Sequence, residues 1–214
     1  MKRIAVVAIA LALAALALPV PTGAQNTLTV VSDTTWQVSG AISTKTSFPL
    51  PMGDAEAVCL NASNPPNCPP GAVLYGSGAG WLADLSSIPG AIWIWAPGVT
   101  GQTSPADLQT FWFSKVINVP ATPSSGSISI AVDDYAEILV NGKLVATYGS
   151  VTNVQAAAAA QNSLGTFSIN SLHEGNNQIV VRGQNGPASF AGGCNPCAYQ
   201  ENPAGVVFGI TITY

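Results

Sequence analysis

From Ser127 to Tyr148 apolar and polar residues alternate along most of the chain, and two pairs interrupt them: Asp133-Asp134 and Asn141-Gly142. A period of two sends successive side chains to opposite faces of an extended backbone, which is the pattern of a strand with one face covered. Asn-Gly suits a two-residue turn that needs positive φ at both central positions, so residues 135–148 are predicted to form a hairpin. Aspartate disfavours strand interiors, and its carboxylate accepts backbone N–H groups in tight turns. Asp133-Asp134 therefore closes the strand that precedes the hairpin. Both interruptions have structural reasons, which weigh against a catalytic role for the acids.

The same alternation recurs in "TLTVV" from Thr27, "NQIVVRG" from Asn177 and "VVFGITITY" from Val206, separated by Gly, Pro, Asn and Ser clusters. No amphipathic helical pattern recurs between these windows, which disfavours parallel βαβ units. An all-β antiparallel sandwich is the expected fold. Asn153 to Gly165, "NVQAAAAAQNSLG", has high helix propensity with a glycine at its end, and reads as one short helix in a connection or as a loop. The stretch from about Ser43 to Gly80 contains "NPPNCPPG" and is expected to be a decorated surface loop, because proline lacks the ladder donor.

Lys2 and Arg3 precede an apolar run from Ile4 to Val20, followed by small residues at Thr22, Gly23 and Ala24. Residues 1–24 are thus expected to be a secretory signal peptide, leaving residues 25–214 as a single domain that is secreted, extracellular or at the cell surface, with the periplasm as a further destination. Without Lys2 and Arg3 the six basic residues fall to four, Lys45, Lys115, Lys143 and Arg182, against ten acidic ones. Such a surface offers little to phosphates, so neither nucleic acid nor anionic membrane is an expected partner, and no membrane insertion is expected after cleavage.

Cysteines stand at positions Cys59, Cys68, Cys194 and Cys197. In an exported chain an even number reads first as disulfides. Nearest-neighbour pairing is the preferred one of three connectivities. A redox or zinc role for "CNPC" fits less well, because its surroundings, "GGCNPCAYQENP", are loop-forming throughout.

"FWFSKVINVP", then "SISIAVDDYAEILVNGKLV", then "SLHEGNNQIVVRGQN", in this order, resemble the galactose-binding-like jelly roll, a β-sandwich found as a non-catalytic module in bacterial glycoside hydrolases and surface proteins. The matching positions are the strand ending in Asp-Asp, the "NGK" hairpin, and Leu172, Gly175, Asn177, Ile179, Val181 and Asn185. The resemblance covers roughly Phe111 to Asn185 and the last strand. It implies a sugar ligand held by loops at one end of the sandwich or on a concave face, hence a carbohydrate-binding, lectin-like or cell-surface module with a glycan or polysaccharide partner.

The residues themselves favour binding over catalysis. His173, the single histidine, stands in a turn, and no "GxSxG" occurs. Glycoside hydrolysis needs two carboxylates about 5 to 9 Å apart, whereas neighbouring residues of an extended chain point to opposite sides. In "AIWIWAPG" Trp93 and Trp95 share a face of an extended segment. If exposed they would form a stacking platform for a pyranose, with Trp81 and the polar partners Asp84, Gln184 and Asn185; the alternative is that these tryptophans are core. The second functional reading is a structural subunit or adhesin of an extracellular fibre or matrix, self-associating through a strand edge such as "TLTVVS". No cofactor is expected. A structural calcium would draw on Asp133, Asp134 or Glu201.

Overall fold

The computed structural model describes residues 25–40, 50–59, 68–74, 80–98, 107–192 and 202–214. The leader expected at 1–24, the Cys194 and Cys197 pair and Glu201 lie outside the described residues. Within them the chain is an all-β sandwich of two sheets, as the alternation predicts. One sheet has the spatial order β10 (Lys143–Gly149), β9 (Tyr135–Val140), β12 (Gly175–Gln184), β7 (Thr110–Val119), β2 (Gln37–Gly40) and β3 (Leu50–Asp54). The other runs β11 (Gly165–Ser168), β8 (Ser125–Asp133), β13 (Gly205–Thr213), β6 (Ile94–Trp95), β4 (Glu56–Cys59) and β5 (Val73–Leu74), with β1 (Thr27–Val31) paired to β13. Every pairing among the described strands is antiparallel except β4 with β5.

The period of two sorts the core. From the six-stranded sheet Phe111, Phe113, Ile117, Val119, Ile179, Val181, Ala136, Ile138 and Val140 are buried, while the residues between them are at least partly exposed. β13 differs, because Gly205 to Ile210 is buried without alternation. Both its faces are covered: Trp36 meets the Phe208 ring edge-on at 4.7 Å, while Trp81 and Ile88 lie so close over Gly205 and Gly209 that a Cβ there would meet them at 2.5 and 2.6 Å.

The hairpin forms where Asn-Gly predicts it. Asn141 and Gly142 have φ of 52° and 74° between β9 and β10, the two positive values that the turn needs. Asn141 also ties the hairpin to the start of β12. Its Nδ2–H donates to the Asn177 Oδ1 and the Ser171 carbonyl, both at 2.9 Å, and its Oδ1 accepts the Gln178 N–H. Asn177 is fully buried; its Oδ1 accepts the His173 N–H and its Nδ2–H donates to the carbonyls of His173 and Gly175. The "G.N" of the matched motif is thus a side-chain plug in a tight turn. Replacing Asn177 with alanine strands several buried partners, and a loss of about 3 kcal/mol in urea unfolding is expected. A change below about 0.5 kcal/mol would show that the plug is dispensable.

Four expectations are revised or resolved. The Ser43–Gly80 stretch is not a loop throughout, because β3, β4 and β5 fall within it and Val58 is fully buried. Pro51 is accommodated in β3 at the end of its sheet, where one side of the strand needs no ladder donor. The poly-alanine segment is a helix, α1 (Val154–Asn162), whose Asn153 cap accepts the Ala156 N–H and whose buried Ala157 and Ala160 face the protein. It packs on β8 and β10, which supplies the burial that five alanines lack alone. Cys59 and Cys68 form the expected disulfide at the end of β4. β1 closes the sandwich against β13, in register from Thr27 with Thr213 to Val31 with Gly209.

Candidate functional site

The exposed tryptophan platform does not exist. Trp81, Trp93 and Trp95 are 6%, 3% and 0% exposed. Strand geometry holds only for Ile94 and Trp95, so the irregular backbone before them breaks the period that placed Trp93 and Trp95 on one face. Trp93 stacks on Trp81 with ring centroids 4.3 Å apart, whereas Trp95 packs against Phe111 and Phe113. Ile94 is buried as well, which makes this a strand covered on both faces.

Of the polar candidates, Asp84 is exposed and closes its own turn by accepting the Ser86 N–H, a bond that holds its carboxyl below the usual range. Asn185 is fully buried, with its backbone N–H on the Gln109 carbonyl. Gln184 is half-buried and its Nε2–H donates to the Leu108 carbonyl. The predicted set therefore does not converge on one surface.

Trp81 instead caps an acidic pair. Its Nε1–H donates to Asp133 Oδ2 at 2.7 Å, across Gly205, which stands opposite Asp133 on the neighbouring strand and leaves room for the ring. Gly186 N–H donates to Asp134 Oδ2 at 2.5 Å; a Cβ at Gly186 would meet that carboxylate at 2.4 Å. Both aspartates are 5% exposed, and their carboxyls are close enough to influence each other. Burial first, then the Asp134 charge, pushes Asp133 well above the usual carboxylate range. Burial raises Asp134 too, opposed by the Gly186 N–H and by Asp133. The expectation that the two point to opposite sides is corrected: both carboxyls are buried, and each acts on the titration of the other. Among the described residues no three His, Cys, Asp or Glu side chains gather as a metal site would.

The outer face of the six-stranded sheet carries the chemistry that sequence reading passed over. Phe111 and Phe113 point into the core, so Trp112 between them points out, and it alone of the five tryptophans is not buried. The "FWF" alternation held that signal. Directly opposite Trp112 stands Arg182, and opposite Arg182 stands Glu137. The guanidinium carbon lies 5.7 Å from the Trp112 ring centroid, and Nη1 donates to Glu137 Oε2 at 2.6 Å. Tyr135 O–H donates to Glu137 Oε1 at 3.2 Å; burial, followed by the Glu137 charge, raises the phenol above its ordinary range. Gln184 sits opposite Tyr135 and Thr110 in the adjacent row. The result is a half-exposed strip of two aromatic rings, a compensated ion pair, an amide and hydroxyls on rigid strands.

No family model and no curated protein matches the chain. Solved structures with a similar fold include the Streptomyces avermitilis α-L-rhamnosidase complexed with L-rhamnose, at 21% identity and TM-score 0.41, covering 56% of this chain and 10% of that one. Ruminococcus gnavus β-glucuronidase matches at 9% identity and TM-score 0.46, covering 91% and 29%. A GH2 β-galacturonidase from Eisenbergiella tayi bound to galacturonate matches at 15% identity and TM-score 0.41, covering 86% and 24%. The chain spans less than a third of the length of each of these three, and a likeness so distant carries no argument about activity or ligand.

Proposed function

We propose that this chain is a non-catalytic carbohydrate-binding module of the galactose-binding-like jelly-roll kind, exported from the cell, which engages glycan on the outer face of its six-stranded sheet. The observation that carries this reading is the Trp112–Arg182–Glu137 row. A tryptophan kept out of the core, beside donors and acceptors held rigid by cross-strand neighbours, suits the apolar C–H face and the hydroxyl rim of a sugar ring. The Arg182 and Glu137 charges compensate each other, so a neutral glycan meets no uncompensated charge. The Cys59–Cys68 disulfide accords with an oxidising compartment.

Assembly into a fibre through strand edges is the lesser reading. β10 carries a bulge between Leu144 and Ala146; β3 carries Pro51 and faces a bulge in β2. Both devices blunt an edge against pairing with another chain. A glycan array of residues 25–214, with light scattering on the same sample, tests the reading. Selective glycan retention by a monomer, reduced roughly tenfold or more by Trp112→Ala with unfolding unchanged, is the expected result. Binding that Trp112→Ala leaves intact, or large assemblies without glycan signal, would overturn it.

A further inference from the structure

A cavity of about 320 Å³ opens at one edge of the sandwich, between the start of β10 and the segment that follows β11. Lys143, Leu144 and Val145 form one wall; Ser168, Asn170 and Ser171 form the other. Local sequence builds it. The Asn141-Gly142 turn sets Lys143 as the first residue of β10, and the Asn141 amide, donating to the Ser171 carbonyl, holds the second wall beside the hairpin. The volume lies within the range of small-molecule sites, about 300–1,000 Å³, and its lining mixes an apolar strip with a few polar groups as such sites do.

One further observation makes it more than a packing gap. Among the described residues the three cations divide unequally: Lys115 pairs with Asp33 and Arg182 with Glu137, whereas Lys143 forms no salt bridge. A protein with so few basic residues thus keeps its one described, uncompensated ammonium at the mouth of a cavity lined by hydroxyls and an amide. Leu144, 59% exposed, offers the apolar wall.

We propose that this cavity binds a single hexuronate residue, with the Lys143 ammonium on the carboxylate, Asn170 and Ser168 on ring hydroxyls, and Leu144 against the C–H face. The site is separate from the Trp112 strip and does not depend on it. The test is titration of the purified protein with sodium glucuronate, and in parallel with glucose, following backbone amide resonances by NMR. Saturable shifts at 143–145 and 168–171 are expected with glucuronate only, with a Kd on the order of 1 mM. Lys143→Gln should weaken binding about tenfold, Ser168→Ala several-fold, and Trp112→Ala not at all. Equal response to glucose, the absence of saturation, or wild-type binding by Lys143→Gln would overturn the site; loss only in Trp112→Ala would place the uronate on the outer face instead. Because the outer-face reading is tested by Trp112→Ala on neutral glycans, either proposal can fail while the other stands.

Discussion

Trp95→Ala is expected to cost about 3–5 kcal/mol, the largest loss of any single aromatic truncation in this chain. Trp95 is fully buried, with Phe111 and Phe113 centroids at 5.5 and 5.7 Å, and its ring approaches Gly183 so closely that a Cβ there would meet it at 2.9 Å. Glycine at 183 and tryptophan at 95 therefore fill one volume between them. Alanine would leave a cavity that rigid strands on both sides cannot close. Against a total stability of about 5–15 kcal/mol, that loss removes a large share of the folded margin. Urea midpoints of Trp95→Ala and Trp112→Ala, measured together, check this. A midpoint shift for Trp95→Ala no larger than for Trp112→Ala would contradict the burial. Trp95→Phe should cost less, because the indole Nε1–H it removes has no partner.

Stability is also expected to fall as pH rises from about 4 toward neutrality, through Asp133 and Asp134. Both carboxyls titrate above their ordinary range in the folded chain, chiefly through burial. Over that window the folded state holds protons that the unfolded state has released, so raising the pH favours unfolding. The slope is on the order of 1 kcal/mol per pH unit for each proton retained, and it levels off above the folded value. The Trp81 indole and the Gly186 amide, which donate to the pair, carry no charge. Asp133→Asn keeps an oxygen for the Trp81 N–H and presents an N–H to the Asp134 carboxylate. It should flatten the profile between pH 4 and 7 and leave the variant more stable than the parent at pH 7. Thermal unfolding across that range decides the matter; a parent profile already flat, or a variant weaker at pH 7, would contradict the raised carboxyls.

The pattern that runs from Asp133-Asp134 through the hairpin to Asn185 was legible for different reasons at its two ends. Asn141-Gly142 and Asn177 act through neighbours close in sequence or one turn away, so their residue types betray their geometry. Asp133-Asp134 is part of the same pattern, yet its cover comes from Trp81 and Gly205, distant along the chain. Sequence reading therefore placed the aspartates at a strand end but could not see that burial would raise both carboxyls. Trp112 shows the reverse: its neighbours Phe111 and Phe113 already declared which way it faces, and the more conspicuous "WIW" drew attention away.

What the sequence determined by itself is local: the alternating strands, the positive-φ hairpin turn, the alanine helix with its asparagine cap, and the nearest-neighbour Cys59–Cys68 bridge. Each depends on backbone preference or on partners a few residues away. Only the tertiary structure decided that Trp81, Trp93 and Trp95 are core, that β1 closes on β13, and that Lys143 faces a cavity. Alternation divides a strand into two faces without saying which is covered, and the cover here arrives from segments far away in the chain, whose docking no local period encodes.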